Sequence, residues 1–185
     1  GTLPERMSYD VEALVVEEMD DPTAGDGELL IEVKASAVTF PDTLMLEDKY
    51  QFRPERPFAP GGEVAGVVDA VGEGVGAFGV GQRVIGSAVC GGMADKMLLP
   101  AERCVPIPDS MPLDDAAAFL MTYGTSHHAL VDRAALEAGE TVLVLGAAGG
   151  VGTSAIQVAK AMGAKVIAAA STDAKCAFCR ELGAD

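Results

Sequence analysis

The chain has 185 residues, 49% of them apolar and 22% charged, with 28 Asp and Glu against 13 Lys and Arg for a net charge of -15. That composition supplies a sizeable core and excludes an intrinsically disordered chain, and the length allows one or two domains. The acidic surplus repels phosphate backbones and anionic lipid, no basic patch offsets it, and no apolar run approaches the roughly 20 residues of a membrane-spanning helix, so neither nucleic acid nor a membrane is an expected partner.

In chain order, no charged start followed by an apolar run opens the sequence, and cysteines at 90, 104, 176 and 179 are too few and too scattered for a disulfide framework. A reducing, cytoplasmic setting is expected. Residues 17–28 are rich in acids, lack any base and are broken by Pro22 and Gly25, which predicts a solvated loop. Ile31, Val33, Ala35 and Ala37 then alternate with Glu32, Lys34 and Ser36, the period of a half-buried strand. Residues 63–75, 83–89, 93–99 and 104–107 continue the β character with glycines between them, predicting an all-β, barrel-like unit.

Beyond Pro112 the pattern turns helical: 113–120 is alanine-rich, with Asp114 and Asp115 in the first turn, where carboxylates complement the helix dipole. Residues 141–146 form an uninterrupted apolar run suited to a strand covered on both faces. A glycine-rich turn, a helix over 153–162, a second strand over 165–170 and a helix over 172–182 follow. This is one right-handed βαβ unit. A doubly wound dinucleotide domain ordinarily has about six parallel strands, of which two are legible, so the nucleotide domain is expected to be incomplete.

The turn Gly146-Ala-Ala-Gly-Gly-Val-Gly152 matches G-x-G-x-x-G at 147, 149 and 152, with Ala147 in the first slot, and it lies between a strand and a helix as that motif requires. Gly149 lets the backbone approach a pyrophosphate, Gly152 lets helix and strand pack closely, and the free N–H groups at the helix start hold the anion. Ala148, Gly149, Gly150, Val151 and Gly152 are therefore the candidate cofactor-binding residues. At the end of the second strand an acid would bind the ribose of NAD, whereas a cation would accept the 2′-phosphate of NADP. Ser171, Thr172 and Lys175 favour NADP; Asp173 reads either as a first-turn carboxylate of the next helix or as a ribose ligand.

With these motifs in view, the chain resembles the zinc-free quinone oxidoreductases of the medium-chain dehydrogenase/reductase superfamily, the zeta-crystallin group. The resemblance runs nearly end to end. It rests on Val38-Thr-Phe-Pro-Asp42, Pro60-Gly-Gly-Glu-Val-Ala-Gly-Val-Val68, Val71-Gly-Glu-Gly-Val75, Gly81-Gln-Arg-Val84, Thr122-Tyr-Gly-Thr125 and the glycine turn. It implies an α/β protein with an N-terminal all-β GroES-like catalytic domain over 1–115. Over 116–185 it implies linking helices and the first half of a Rossmann domain, with NADPH in the cleft and hydride passing directly to the substrate carbonyl. By the same resemblance Lys175 and Ser171 would meet the 2′-phosphate, Thr125 would lie near the nicotinamide, Tyr50 would face the substrate, and the whole protein would be a homodimer through the missing half. The family also begins with a further strand, which residues 1–9 match poorly.

Two positions depart from the family, which often carries Asn at Thr39 and Tyr at Leu44. Both line its active site; Thr39 retains hydrogen-bonding capacity with a shorter reach, and Leu44 offers only shape. Zinc-dependent members read Gly-His-Glu where this chain reads Gly61-Gly62-Glu63, so no metal is expected. Cys176 and Cys179 form a C-x-x-C that reads as two core-facing residues rather than a redox pair. His127 and His128, being adjacent, face different ways: one packed and one solvated, or one in a proton relay. The expected function is a metal-independent NADPH reductase of quinones or α,β-unsaturated carbonyls, with Thr39 and Tyr50 as candidate catalytic residues. The alternatives are an enoyl-thioester or enone reductase, or a non-catalytic fragment or module.

Overall fold

The computed structural model describes residues 14–185, so the expectation about residues 1–9 lies outside the described residues. The chain divides into two compact units between Ala118 and Phe119.

The first unit is the expected all-β domain. Its five strands, β1 (Glu28–Ser36), β2 (Glu63–Val71), β3 (Arg83–Ser87), β4 (Lys96–Pro100) and β5 (Cys104–Pro106), form one antiparallel sheet in the order β4-β1-β2-β3-β5. Alternation places Leu29, Ile31, Val64, Val68, Val84, Met97 and Leu99 in a single core. Two register shifts in β1 against β2, between Leu30 and Ile31 and between Val33 and Ala35, bend the sheet around that core. The bend brings β2 so close to β1 that a Cβ on Gly66 would stand 2.2 Å from the Glu32 carbonyl oxygen.

Strands end earlier or start later than their sequence pattern where the backbone finds another partner. The Gly91, Gly92 and Met93 amides donate to the carbonyls of Ala59, Gly61 and Pro60 at 2.7–2.8 Å, so the predicted strand over 93–99 begins only at Lys96. Between β1 and β2 lies a helix the sequence did not announce, α1 (Phe40–Leu46), with Pro41 in its first turn, where a missing N–H costs nothing. The predicted helix over 113–120 stops early: α2 (Leu113–Ala117) ends as Ala118 leaves helical geometry. Arg83 gives the Gly81-Gln-Arg-Val84 motif a physical reason, since its guanidinium donates to the carbonyls of Pro108, Asp109 and Met111 and fastens the chain leading into α2 to β3.

The second unit opens with a helical segment in three pieces, Leu120–Gly124, Thr125–His127 (α3) and His128–Arg133. Its outer pieces are wound wider than an α-helix, and Ala134 N donates to Ala129 O, five residues back, at 2.9 Å. The βαβ unit follows as β6 (Thr141–Leu145), α4 (Gly150–Ala161), β7 (Lys165–Ala169) and α5 (Asp173–Glu181), with β6 and β7 parallel in the register Thr141–Lys165 to Leu145–Ala169. Ile156 and Ala159 of α4 and Cys179 of α5 pack on Val144 and Val166. Of the two faces of β6 expected to be covered, the described residues cover one: both helices lie on the Val144 side, and Leu143, Leu145 and Ile167 on the other face are 60%, 75% and 51% exposed. Cys179 is the core-facing residue expected of it, and all four cysteines are free. Among the described residues no helix is long and apolar enough to cross a membrane.

Asp185 closes this unit, its carboxylate accepting from Val166 N at 2.7 Å and Lys160 Nζ at 3.0 Å. The Val166 amide first, and Lys160 second, hold its carboxyl below the ordinary 3.8. A depressed folded pKa contributes stability that is present above the ordinary carboxylate range and lost as pH falls through the folded value. Urea unfolding of parent and Asp185→Asn should therefore differ near pH 7 and converge in acid. In the first unit Gly66→Ala should cost about 3 kcal/mol in the same measurement, because the atom it would displace is backbone.

Candidate functional site

In the second unit the site is the connection from β6 to α4. Gly146 turns the chain with φ +62°, and the fully buried Ala147 donates its amide to Ala169 O at 3.0 Å, tying the turn to the end of β7. Gly149 is the N-cap of α4, in extended backbone, and the helix starts at Gly150, three residues before the sequence pattern placed it. No acidic residue stands in the first turn of α4 and no side chain caps it, so its amides are left for an external acceptor.

The glycines separate by what each would meet. A Cβ on Gly152 would lie 2.7 Å from the Cα, C and O of Ala147, so helix and turn touch backbone to backbone there. One on Gly150 would stand 3.2 Å from Thr122 Cγ2, and one on Gly149 would meet only Gly146 O at an ordinary 3.5 Å. No protein neighbour therefore requires glycine at 149, where an approaching pyrophosphate would. Uncapped amides, an exposed Gly149 and a first turn free of carboxylates fit a dinucleotide.

At the end of β7, Ser171 is exposed and Thr172 is the N-cap of α5, its Oγ1 accepting from Lys175 N at 3.3 Å. Asp173 opens α5 as a first-turn carboxylate, the first of its two readings. Lys175 is exposed in the same turn and makes no ion pair among the described residues. A cation there opposes the helix dipole, a local conflict that an arriving phosphate would relieve. Thr125 is exposed, with its hydroxyl donating back to Met121 O. His127 and His128 are both exposed, so neither packs inward as one reading had it, and His128 Nδ1 lies 2.9 Å from Asp132 Oδ2 one turn on.

In the first unit Thr39 precedes α1, and Asp42 in the first turn, 2% exposed, reaches back to it. Asp42 Oδ2 accepts from Thr39 N at 2.7 Å and Thr39 Oγ1 at 2.6 Å, and Asp42 Oδ1 accepts from Gly61 N at 2.9 Å. The Thr39 hydroxyl proton is thus engaged, and what remains on its oxygen is acceptor capacity. Burial, and then the charge of Asp42, push the Cys90 thiol up. Sequence reasoning passed over Asp42, although Thr39-x-x-Asp42 is the spacing of a capping box. Tyr50 is half-buried after α1, its ring 6.0 Å from that of Phe52 and tilted; it shares no hydrogen bond with Thr39. Leu44 is half-buried.

Residues 25–109 match the alcohol dehydrogenase GroES-like domain, and residues 150–185 match the zinc-binding dehydrogenase domain. The human quinone oxidoreductase is 38% identical over 153 residues, 82% of this chain and 46% of the human protein. The chain belongs to the medium-chain dehydrogenase/reductase superfamily. Among solved structures, a probable oxidoreductase from Mycobacterium abscessus is 44% identical with a TM-score of 0.88, over 94% of this chain and 56% of that one. The quinone oxidoreductase of Thermus thermophilus, solved also in complex with NADPH, is 37% identical with a TM-score of 0.81, over 91% of this chain and 53% of its own. The chain spans about half the length of the curated relatives it matches.

Among the described residues no three or more His, Cys, Asp or Glu side chains are grouped as a metal site requires. Gly152→Ala should lower stability by about 2–3 kcal/mol in thermal unfolding, since the added methyl meets only backbone.

Proposed function

We propose that this chain carries the catalytic domain, residues 1–115, and the first half of the cofactor domain, residues 116–185, of a metal-independent NADPH reductase acting on quinones or α,β-unsaturated carbonyls. The observation that carries the reading is the uncapped first turn of α4 beside a Gly149 that no protein neighbour requires. The NADPH complex of the Thermus thermophilus relative supports the choice of cofactor, as does Lys175 beside Ser171.

NADPH supplies hydride when bound, and the protein's part is to orient the acceptor and stabilise the oxygen that gains charge. The glycine turn 148–152 would hold the pyrophosphate through the first-turn amides of α4, the Gly149 amide itself being taken by Gly146 O. Ser171 and Lys175 would take the 2′-phosphate, and Thr125 would lie towards the nicotinamide. Because Asp42 engages the Thr39 proton, the donor to the substrate oxygen is the Tyr50 phenol or water, while Thr39 offers an acceptor to a substrate or product hydroxyl. Homodimeric assembly and a cytoplasmic setting belong to the same reading.

The test is NADPH and NADH oxidation with a para-quinone and a 2-enone, for the parent and Lys175→Glu. The variant should lose about ten- to a hundredfold in kcat/KM for NADPH and keep its NADH rate, the loss of a charge-assisted contact. Equal use of both cofactors by the parent would remove the NADPH assignment, and faster turnover of the enone would move the substrate class away from quinones.

A further inference from the structure

A hydroxyl has one proton to give, and at Thr39 the fold has already committed it. Thr39 Oγ1 donates to Asp42 Oδ2 at 2.6 Å, the short distance of a hydroxyl on a carboxylate. The direction of this bond is fixed, because an ionised carboxylate only accepts. Asp42 is 2% exposed, and its other contacts, from Thr39 N at 2.7 Å and Gly61 N at 2.9 Å, are donated to it as well. Turning the hydroxyl towards a ligand would take a donor away from a charge that water does not reach, which is a costly exchange. Thr39 itself is half-buried rather than sealed, and what its oxygen has left to present is lone-pair density.

An acceptor with no proton to offer distinguishes the two ends of a quinone reduction. Hydride from NADPH and one proton from solvent or a protein donor convert a quinone to its hydroquinone and leave NADP⁺, so both carbonyl oxygens end as hydroxyls. A quinone carbonyl brings only lone pairs and meets the Thr39 oxygen like against like. The hydroquinone brings an O–H and completes the bond. The amide that the superfamily often carries at this position donates and accepts, and so serves either ligand; a threonine held by Asp42 serves one.

We propose that Thr39, held as an acceptor by Asp42, is a specificity-determining residue that grips the hydroquinone product more tightly than the quinone substrate, so that turnover is restrained by its own product. This rests on the quinone-reductase reading above.

The test measures dissociation constants, without oxygen and with NADP⁺ present, for three ligands that share one ring. They are duroquinone, whose fully substituted ring does not alkylate thiols, its hydroquinone, and the dimethyl ether of that hydroquinone, which has no proton to donate. The proteins are the parent, Thr39→Ser and Thr39→Val. The parent should bind the hydroquinone about three- to tenfold more tightly than the quinone or the ether, the worth of one hydrogen bond. Thr39→Ser should keep that difference, and Thr39→Val should abolish it by weakening the hydroquinone alone. In NADPH oxidation the hydroquinone should compete with the quinone in the parent and less so in Thr39→Val. Equal affinity of the parent for hydroquinone and quinone would overturn the proposal. So would equal weakening of all three ligands in Thr39→Val, the result of a merely structural Thr39, or weakening of the quinone together with the hydroquinone, the result of a hydroxyl free to turn. Should Thr39→Val fail to fold, the three affinities on the parent and Thr39→Ser decide the matter. A parent that neither binds these ligands nor oxidises NADPH with the quinone would remove the reductase reading, and the proposal with it.

Discussion

A carboxylate sealed from water must be given donors, and Asp42 receives three: the amide and hydroxyl of Thr39 and the amide of Gly61. No cation pairs with it among the described residues. Satisfying it therefore fixes backbone: the start of α1, the loop entering β2 and, through Gly61 O accepting from Gly92 N, the loop ahead of β4. Three segments far apart in sequence are thereby held in one arrangement, and Thr39 takes its orientation from it.

The second unit reaches the same end by contact rather than charge. Gly152 lets α4 rest on the backbone of Ala147, Ala147 is bonded to the end of β7, and a hydrogen bond between the Ser126 and Ser154 hydroxyls, 2.7 Å apart, ties the helix to α3. Rigid surroundings leave the amides at the helix start with one direction to point, which is what electrostatic preorganisation requires. Lys175, by contrast, is a charge set against its local field, in a helix whose first turn would suit an acid better.

Period and punctuation make most of this legible. Alternation over 31–37 locates β1, the apolar run over 141–146 locates β6, and the glycine turn between strand and helix announces the nucleotide site. What stays hidden is tertiary in origin. α1 is short and contains Pro41, so no periodicity exposes it, although its Thr39-x-x-Asp42 box is readable afterwards. The sequence pattern starts α4 at Thr153 because glycines at 150 and 152 are poor helix formers; packing against Ala147 and Thr122 overrides that preference. Ser126 and Ser154 are separated by a strand and a turn, and nothing in the residues between them says that they meet. The apolar run of β6 reports that both faces avoid water without saying which chain covers them; among the described residues α4 and α5 cover one face.

Leu143, Leu145 and Ile167 project from the face of β6 and β7 that α4 and α5 do not cover. A doubly wound sheet buries both of its faces, so the same apolar run that gives Val144 to one core offers its alternate residues to another layer. One strand thus serves two cores, and a polar substitution at Leu143 or Leu145 would leave the packing of α4 and α5 on Val144 untouched.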